Sequence, residues 1–222
     1  MPRLIERAAL AMLLLAPAAA LAQDPGTPGQ FDFYVLSLSW SPSFCAAAAA
    51  RPSRGASQQC GARPYAFVVH GLWPQYAKGF PQDCQRPAPR LDRRIVSAML
   101  DLMPARQLVF HEWDSHGTCS GLGPQAYFDT VRKARAAVNI PQAYVDPPAA
   151  LTVAPAAVER AFVAANPTLP DDGVTVTCSG KFLSEVRLCL TKDLKFRACA
   201  DIARHGCRRD RLSMPPVRGG NG

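Results

Sequence analysis

Histidine is scarce in this chain, with 4 among 222 residues. Lysine is scarce too, with 5 against 20 arginines. After residue 22 there is no apolar run long enough to cross about 30 Å of hydrocarbon, so no membrane-spanning body is expected. No CxxC pair occurs, which argues against thiolate zinc sites and dithiol redox centres. No internal repeat is visible, which excludes a solenoid or propeller. Strands and helices alternate without a βαβ rhythm, which argues against a doubly wound parallel sheet. The HExxH zinc signature is also missing. His111 and His116 lie five apart, whereas two zinc imidazoles on one helix face need a spacing of four. At 3.6 residues per turn the two would point about 140° apart. No metal or other cofactor is therefore expected.

What is present narrows the reading further. With 48% apolar residues the chain can bury a core, and its length suits one domain. Eight cysteines suit an oxidising compartment. Residues 1–22 have Arg3 and Arg7 at the start, an apolar run from Ala8 to Ala16, and the A-x-A site Ala20-Leu21-Ala22. This pattern is that of a secretory signal peptide, which leaves a soluble domain at 23–222 that is periplasmic or secreted. The formal charge is +8 and rests mainly on arginine, whose fork suits phosphate. Composition bias explains such a charge equally well, so it does not by itself name a nucleic-acid ligand.

Phe31–Trp40 is rich in aromatic and β-branched residues and reads as a strand closed by Pro42. The segment between Cys45 and Cys60 reads as a polar loop that begins with an alanine run, itself either a helical turn or a low-complexity insert. Tyr65–His70 reads as a short strand stopped at Gly71. Asp92 is placed to cap a helix with Ile95, Val96, Met99, Leu100 and Met103 inward. Pro124 opens a second helix with Tyr127, Phe128, Val131, Ala134 and Val138 inward. A third spans Pro155–Ala165. Strands are expected at Val174–Cys178, Phe182–Leu190 and Lys195–Cys199, and loose ends at 23–30 and 215–222. The fold class is α+β, a single domain with a central, largely antiparallel sheet flanked by helices.

Three of the four histidines fall between positions 70 and 116. His111–Cys119 reads HEWDSHGTC, and Phe67–Pro74 reads FVVHGLWP. Histidine titrates nearest neutral pH and is the usual proton carrier. If the nonapeptide is helical, Glu112 and His116 share a face, which would let the carboxylate hold that imidazole. His111 and Ser115 share the neighbouring face.

These two segments resemble the two active-site signatures of the ribonuclease T2 family. Tyr34–Cys45 (YVLSLSWSPSFC), Asn166-Pro167 and Glu185–Cys189 (EVRLC) extend the likeness from about Phe31 to Cys207. The resemblance implies an endoribonuclease that cleaves single-stranded RNA, without metal, through a 2′,3′-cyclic phosphate. It implies His116 as general base, His70 as general acid, and Glu112 as support for His116 or for the phosphorane. It gives His111 a phosphate contact and Trp73 a base to stack on. DNA, lacking the 2′-OH, is not expected to be cleaved, and the protein is expected to act as a monomer. Disulfides Cys45–Cys60, Cys84–Cys119, Cys178–Cys207 and Cys189–Cys199 are also implied.

Two positions depart from the family pattern. Ser115 stands where a lysine usually precedes the last histidine, so either another cation substitutes or turnover is slow. Gln75 stands where some members read a purine with Asp. Ser115 also favours a second reading, a member impaired in catalysis that serves as a basic RNA-binding or toxin-like protein.

Overall fold

A computed structural model describes residues 26–50, 56–61 and 63–217. The expected signal peptide lies outside these residues, as do positions 218–222. Strand β1, Phe33–Trp40, alternates strictly. Tyr34, Leu36, Leu38 and Trp40 face the main core, while Phe33, Val35, Ser37 and Ser39 face the other side. It lies between two antiparallel partners, β2 (Phe67–Gln75) and β5 (Phe182–Leu190). Strand β4 (Val174–Ser179) pairs antiparallel with β5, and the short β3 (Leu151–Val153) pairs with β6 (Leu212–Met214). A single parallel step, Phe182 opposite Ser213, joins β6 to β5. The sheet is thus largely antiparallel, and the protein is α+β.

Helices carrying Val96, Val109, Trp113, Phe128 and Phe162 cover the core face, while Ile202 packs on the other face of the sheet. α1 (Ser41–Ala50) and α2 (Ala56–Gly61) follow β1. α3 (Arg93–Met99) starts at Asp92, whose carboxylate accepts the Arg94 N–H at 2.6 Å. α4 (Arg106–Ser115), α5 (Pro124–Ala136) and α6 (Pro155–Ala165) follow. The short α7 (Ala200–Arg204) lies near the C-terminus. The inward stripe of α5 is Tyr127, Phe128, Val131 and Ala134, all buried, and it packs on Trp113 of α4. Disulfides join Cys45–Cys60, Cys84–Cys119, Cys178–Cys207 and Cys189–Cys199, the four pairs that the resemblance implies.

Several local readings change. Of the two readings of the alanine run the helical one holds, extended to a full helix: Pro42 takes the second position of α1, where its missing N–H costs nothing. β2 does not stop at Gly71 but runs on to Gln75. Lys195–Cys199 forms no strand and offers only a bridge between Phe196 and Leu190, while β3 and β6, three residues each, carry too short a pattern to see in sequence. The described parts of both expected loose ends are tied down. Gly29 donates its N–H to the Cys119 carbonyl at 2.9 Å, Pro215 accepts from the Trp40 indole at 3.0 Å, and Val217 is buried.

Candidate active site

The site lies on the sheet face opposite the main core. The ladder between β1 and β2 pairs Ser37 with Gly71 and then Leu38 with Val69, so His70 is the extra residue of a bulge. A bulge re-aims one side chain without breaking the sheet. Across β1, Ser39 faces Glu185 and Ser37 faces Arg187 on β5. Two small serines therefore leave room for long side chains from both neighbours. His70 Nδ1 makes a short hydrogen bond to Glu185 Oε1. Arg187 donates from Nε and Nη2 to Glu185 Oε2 at 2.9 and 2.7 Å. Its guanidinium lies 5.0 Å over the Trp73 ring.

α4 supplies the opposite wall. Trp113 roots the helix in the core and donates its indole N–H to the Pro89 carbonyl at 2.7 Å. The adjacent Glu112 is driven against β2 and is 1% exposed. Its Oε2 accepts the Trp73 indole N–H at 2.8 Å, and its Oε1 lies 3.6 Å from His70 Nε2. Gly71 is required here, because a Cβ would collide with the Glu112 carboxylate and the Trp73 indole. Glu112 thus faces His70 and Trp73 instead of gripping His116 one turn on. The helix ends at Ser115, and His116 leaves it with φ −124° and ψ −44°. A 3₁₀ turn over Gly117–Ser120 follows, with Gly117 pressed against Trp113 and Tyr127 so closely that no side chain fits.

That exit from the helix overturns the 140° divergence derived from spacing. The rings of His111 and His116 lie 6.2 Å apart, and Trp73 lies 5.3 Å from His70 and 5.5 Å from His116. One donor atom each from His111, Glu112 and His116 fall within 4.8 Å of one another, close enough to share an ion. Spacing on an ideal helix is therefore no argument against ligation.

Burial and neighbours separate the titrations. Burial pushes Glu112 up to about 7, against the opposing pull of His70 and the Trp73 N–H. Burial, together with the nearby His111 and His70, pushes His116 down to about 4 despite Asp83. Burial would also lower His70. The hydrogen bond to Glu185 and the charges of Glu112 and Glu185 outweigh it and the opposing Arg187, and the imidazole is raised. Glu185 is brought down to about 2: burial opposes this, but His70 and Arg187 prevail. Glu112 Oε1 and His116 Nδ1 are buried with no hydrogen-bond partner among the described residues.

Two cavities flank this cluster. One of about 430 Å³ is lined by His70, His111, Glu185, Phe44, Gln59 and Phe182, among others. The second, of about 620 Å³, takes in His116, Trp73, Gln75, Arg187, Phe80 and His205. The structure thus brings His70, Trp73, His111, Glu112 and His116 into one cluster between the two cavities, with Gln75 lining the second. Ser115 is buried and lines neither cavity. Sequence reasoning did not single out Glu185 and Arg187 for the site. Their signal is two charged residues two apart within the apolar strand FLSEVRLCL, which puts both on one face.

A bulged histidine, a histidine at a helix exit and a buried carboxyl between them thus stand on a disulfide-braced, largely antiparallel sheet of known fold. Residues 31–199 match the Ribonuclease T2 family, and the chain belongs to that family. It is 36% identical over 199 residues to a ribonuclease of Aeromonas hydrophila, covering 83% of each chain. It is 25% identical over 227 residues to ribonuclease I of Escherichia coli, covering 83% of this chain. The solved structure of RNase NT in complex with 5′-AMP superposes with a TM-score of 0.66 at 26% identity, covering 84% of this chain and 99% of that one. An RNase-related protein from Calystegia sepium, at 20% identity and a TM-score of 0.67, shares the fold.

Proposed function

We propose that this protein is a secreted or periplasmic endoribonuclease that cleaves single-stranded RNA by transphosphorylation. His116, held neutral, takes the proton from a ribose 2′-OH. The 2′-oxygen attacks the adjacent phosphorus, the bond from phosphorus to the 5′-oxygen breaks, and protonated His70 gives that oxygen its proton. The products are a 2′,3′-cyclic phosphate and a 5′-hydroxyl. DNA has no 2′-OH and cannot react this way. Within this reading Glu112, kept largely as the neutral acid below pH 7 by burial, donates a hydrogen bond to a phosphoryl oxygen of the phosphorane. His111 contacts the phosphate, and Trp73 offers a stacking face.

The observation that carries this is geometric: His70 Nε2 lies 3.6 Å from the buried Glu112 carboxyl, and the Trp73 ring lies between the rings of His70 and His116 at 5.3 and 5.5 Å. The opposite displacement of the two imidazoles suits His116 to the base and His70 to the acid. Four disulfides and the 1–22 segment support an oxidising compartment. The test is incubation of the disulfide-intact protein with RNA in excess EDTA, followed by analysis of the ends. Cyclic phosphate termini are expected. No cleavage between pH 4 and 8 would favour instead a basic RNA-binding protein without turnover. Loss of cleavage only with chelator would implicate the His111, Glu112 and His116 donors as ion ligands.

A further inference from the structure

We infer that Glu185 and Arg187 are a positioning pair for His70: Glu185 accepts the Nδ1–H and so presents Nε2 to the cleft, while Arg187 locks Glu185 and supplies the cleft with a cation. The inference rests on the acid–base reading above and deepens it. Both Glu185 oxygens are committed, Oε1 to His70 and Oε2 to the two arginine N–H groups. The contacts close into a ring: His70 to Glu185, Glu185 to Arg187, Arg187 over Trp73, Trp73 to Glu112, and Glu112 back to His70. Such a ring fixes the imidazole through Nδ1 and leaves Nε2 without a hydrogen bond, 3.6 Å from Glu112 Oε1. The pair stands on β5, which is hydrogen-bonded on both edges, to β1 and to β4. Its backbone is therefore among the least free to shift.

Arginine is the residue this place needs. Two N–H groups converge on one oxygen while the flat guanidinium rests on an indole, which an ammonium cannot do together. Among the described residues, Arg187 is also the one Lys or Arg lining either cavity beside the imidazoles. Ser115, at the position where the family carries a lysine, is buried away from both. Arg187 thus brings positive charge to the cleft from a different strand, on the side where His116 opens.

The titratable and charged groups facing His70 are Glu112 from α4, and Glu185 and Arg187 from β5. Glu185→Gln keeps the shape but removes the charge. It should lower the pH at which His70 titrates by NMR, move the alkaline limb of the pH–rate profile down with it, and cut kcat about 10- to 100-fold with little change in KM. Arg187→Gln removes a charge that opposes protonation of His70, so the alkaline limb should not move down although kcat falls. Arg187→Lys should recover part of that loss. A folded Glu185→Gln enzyme with unchanged His70 titration and kcat would overturn the inference. So would an Arg187→Gln enzyme at full rate, which decides the matter if Glu185→Gln does not fold. The titration is read without RNA, so failure of the wild type to produce cyclic phosphate ends would count against the proposed reaction, not against the pair.

Discussion

The two walls of the cleft hold their imidazoles by different means. On the sheet side, His70 is gripped: a carboxylate takes one nitrogen, an arginine fixes that carboxylate, and interior strands fix both. On the helix side, His116 is released from its helix and left with a buried Nδ1 that has no partner among the described residues. The first environment raises the imidazole and the second depresses it. A bound carboxylate stabilises the cation, whereas burial and nearby imidazoles disfavour it. One type of side chain thus becomes suited to two opposite roles, and neither role is a property of histidine alone.

The bluntest way to break this contrast is to delete either ring. His70→Ala and His116→Ala should each cost at least about 10²- to 10⁴-fold in kcat with unchanged circular dichroism. Near-normal turnover of either would undo the assignment. Next in size is the carboxyl between the walls. Glu112→Ala should lose about 10²- to 10³-fold, and Glu112→Gln distinctly less, since an amide still donates a hydrogen bond. Equal losses would show that Glu112 acts through its charge. Trp73→Ala removes the stacking face and the lid on Arg187. It should weaken binding of single-stranded RNA by about 1–3 kcal/mol, read by titration with a non-cleavable 2′-deoxy oligonucleotide.

The pH dependence sharpens the comparison rather than breaking it. The proposed reaction requires neutral His116 and protonated His70. kcat/KM should therefore rise through an acid limb near pH 4 and fall through an alkaline limb above pH 6.5. Stability should follow its own sign. Glu185, about 2 when folded against 4.5 for a free glutamate, stabilises the fold above pH 4.5, and that contribution is lost as pH falls towards 2. His116, depressed when folded, is protonated more readily in the unfolded chain, so stability also declines as pH drops from 6.5 to 4. Melting temperatures across pH 3–7 check both, and Glu185→Gln should flatten the lower part of that slope.

The smallest expected effect concerns the brace between the walls. Cys84–Cys119 closes a loop of 35 residues and anchors the turn that follows His116. Replacing both cysteines with serine should cost about 2–4 kcal/mol, measured by denaturant unfolding, with a modest fall in kcat. Unchanged stability would show that Gly117 packing and the Gly29 to Cys119 hydrogen bond hold the turn by themselves.

Much of the helical half was legible because its chemistry is local. The Asp92 cap, the stripe of α5 and the HEWDSHGTC run are each set by neighbours within a few positions, so periodicity and spacing expose them. The bulge at His70 was not legible, since an extra residue in a ladder is defined only by the partner strand. Nor was the exit of His116 from its helix, which Trp113 and Tyr127 impose on Gly117 by packing. An ideal helix drawn through that segment put Glu112 on the wrong imidazole and drove His111 and His116 apart.

By itself, the sequence determined which titratable residues are grouped near the site: three of four histidines, a glutamate beside a tryptophan that sinks it, and a glycine that lets it approach the strand. It also determined the alternation that leaves one sheet face for the core and the other for charge. Tertiary structure alone placed the two imidazoles in opposite environments. Those environments depend on distance and burial, and Glu185, 115 positions from His70, meets it only because β5 pairs with β1 on the far side from β2.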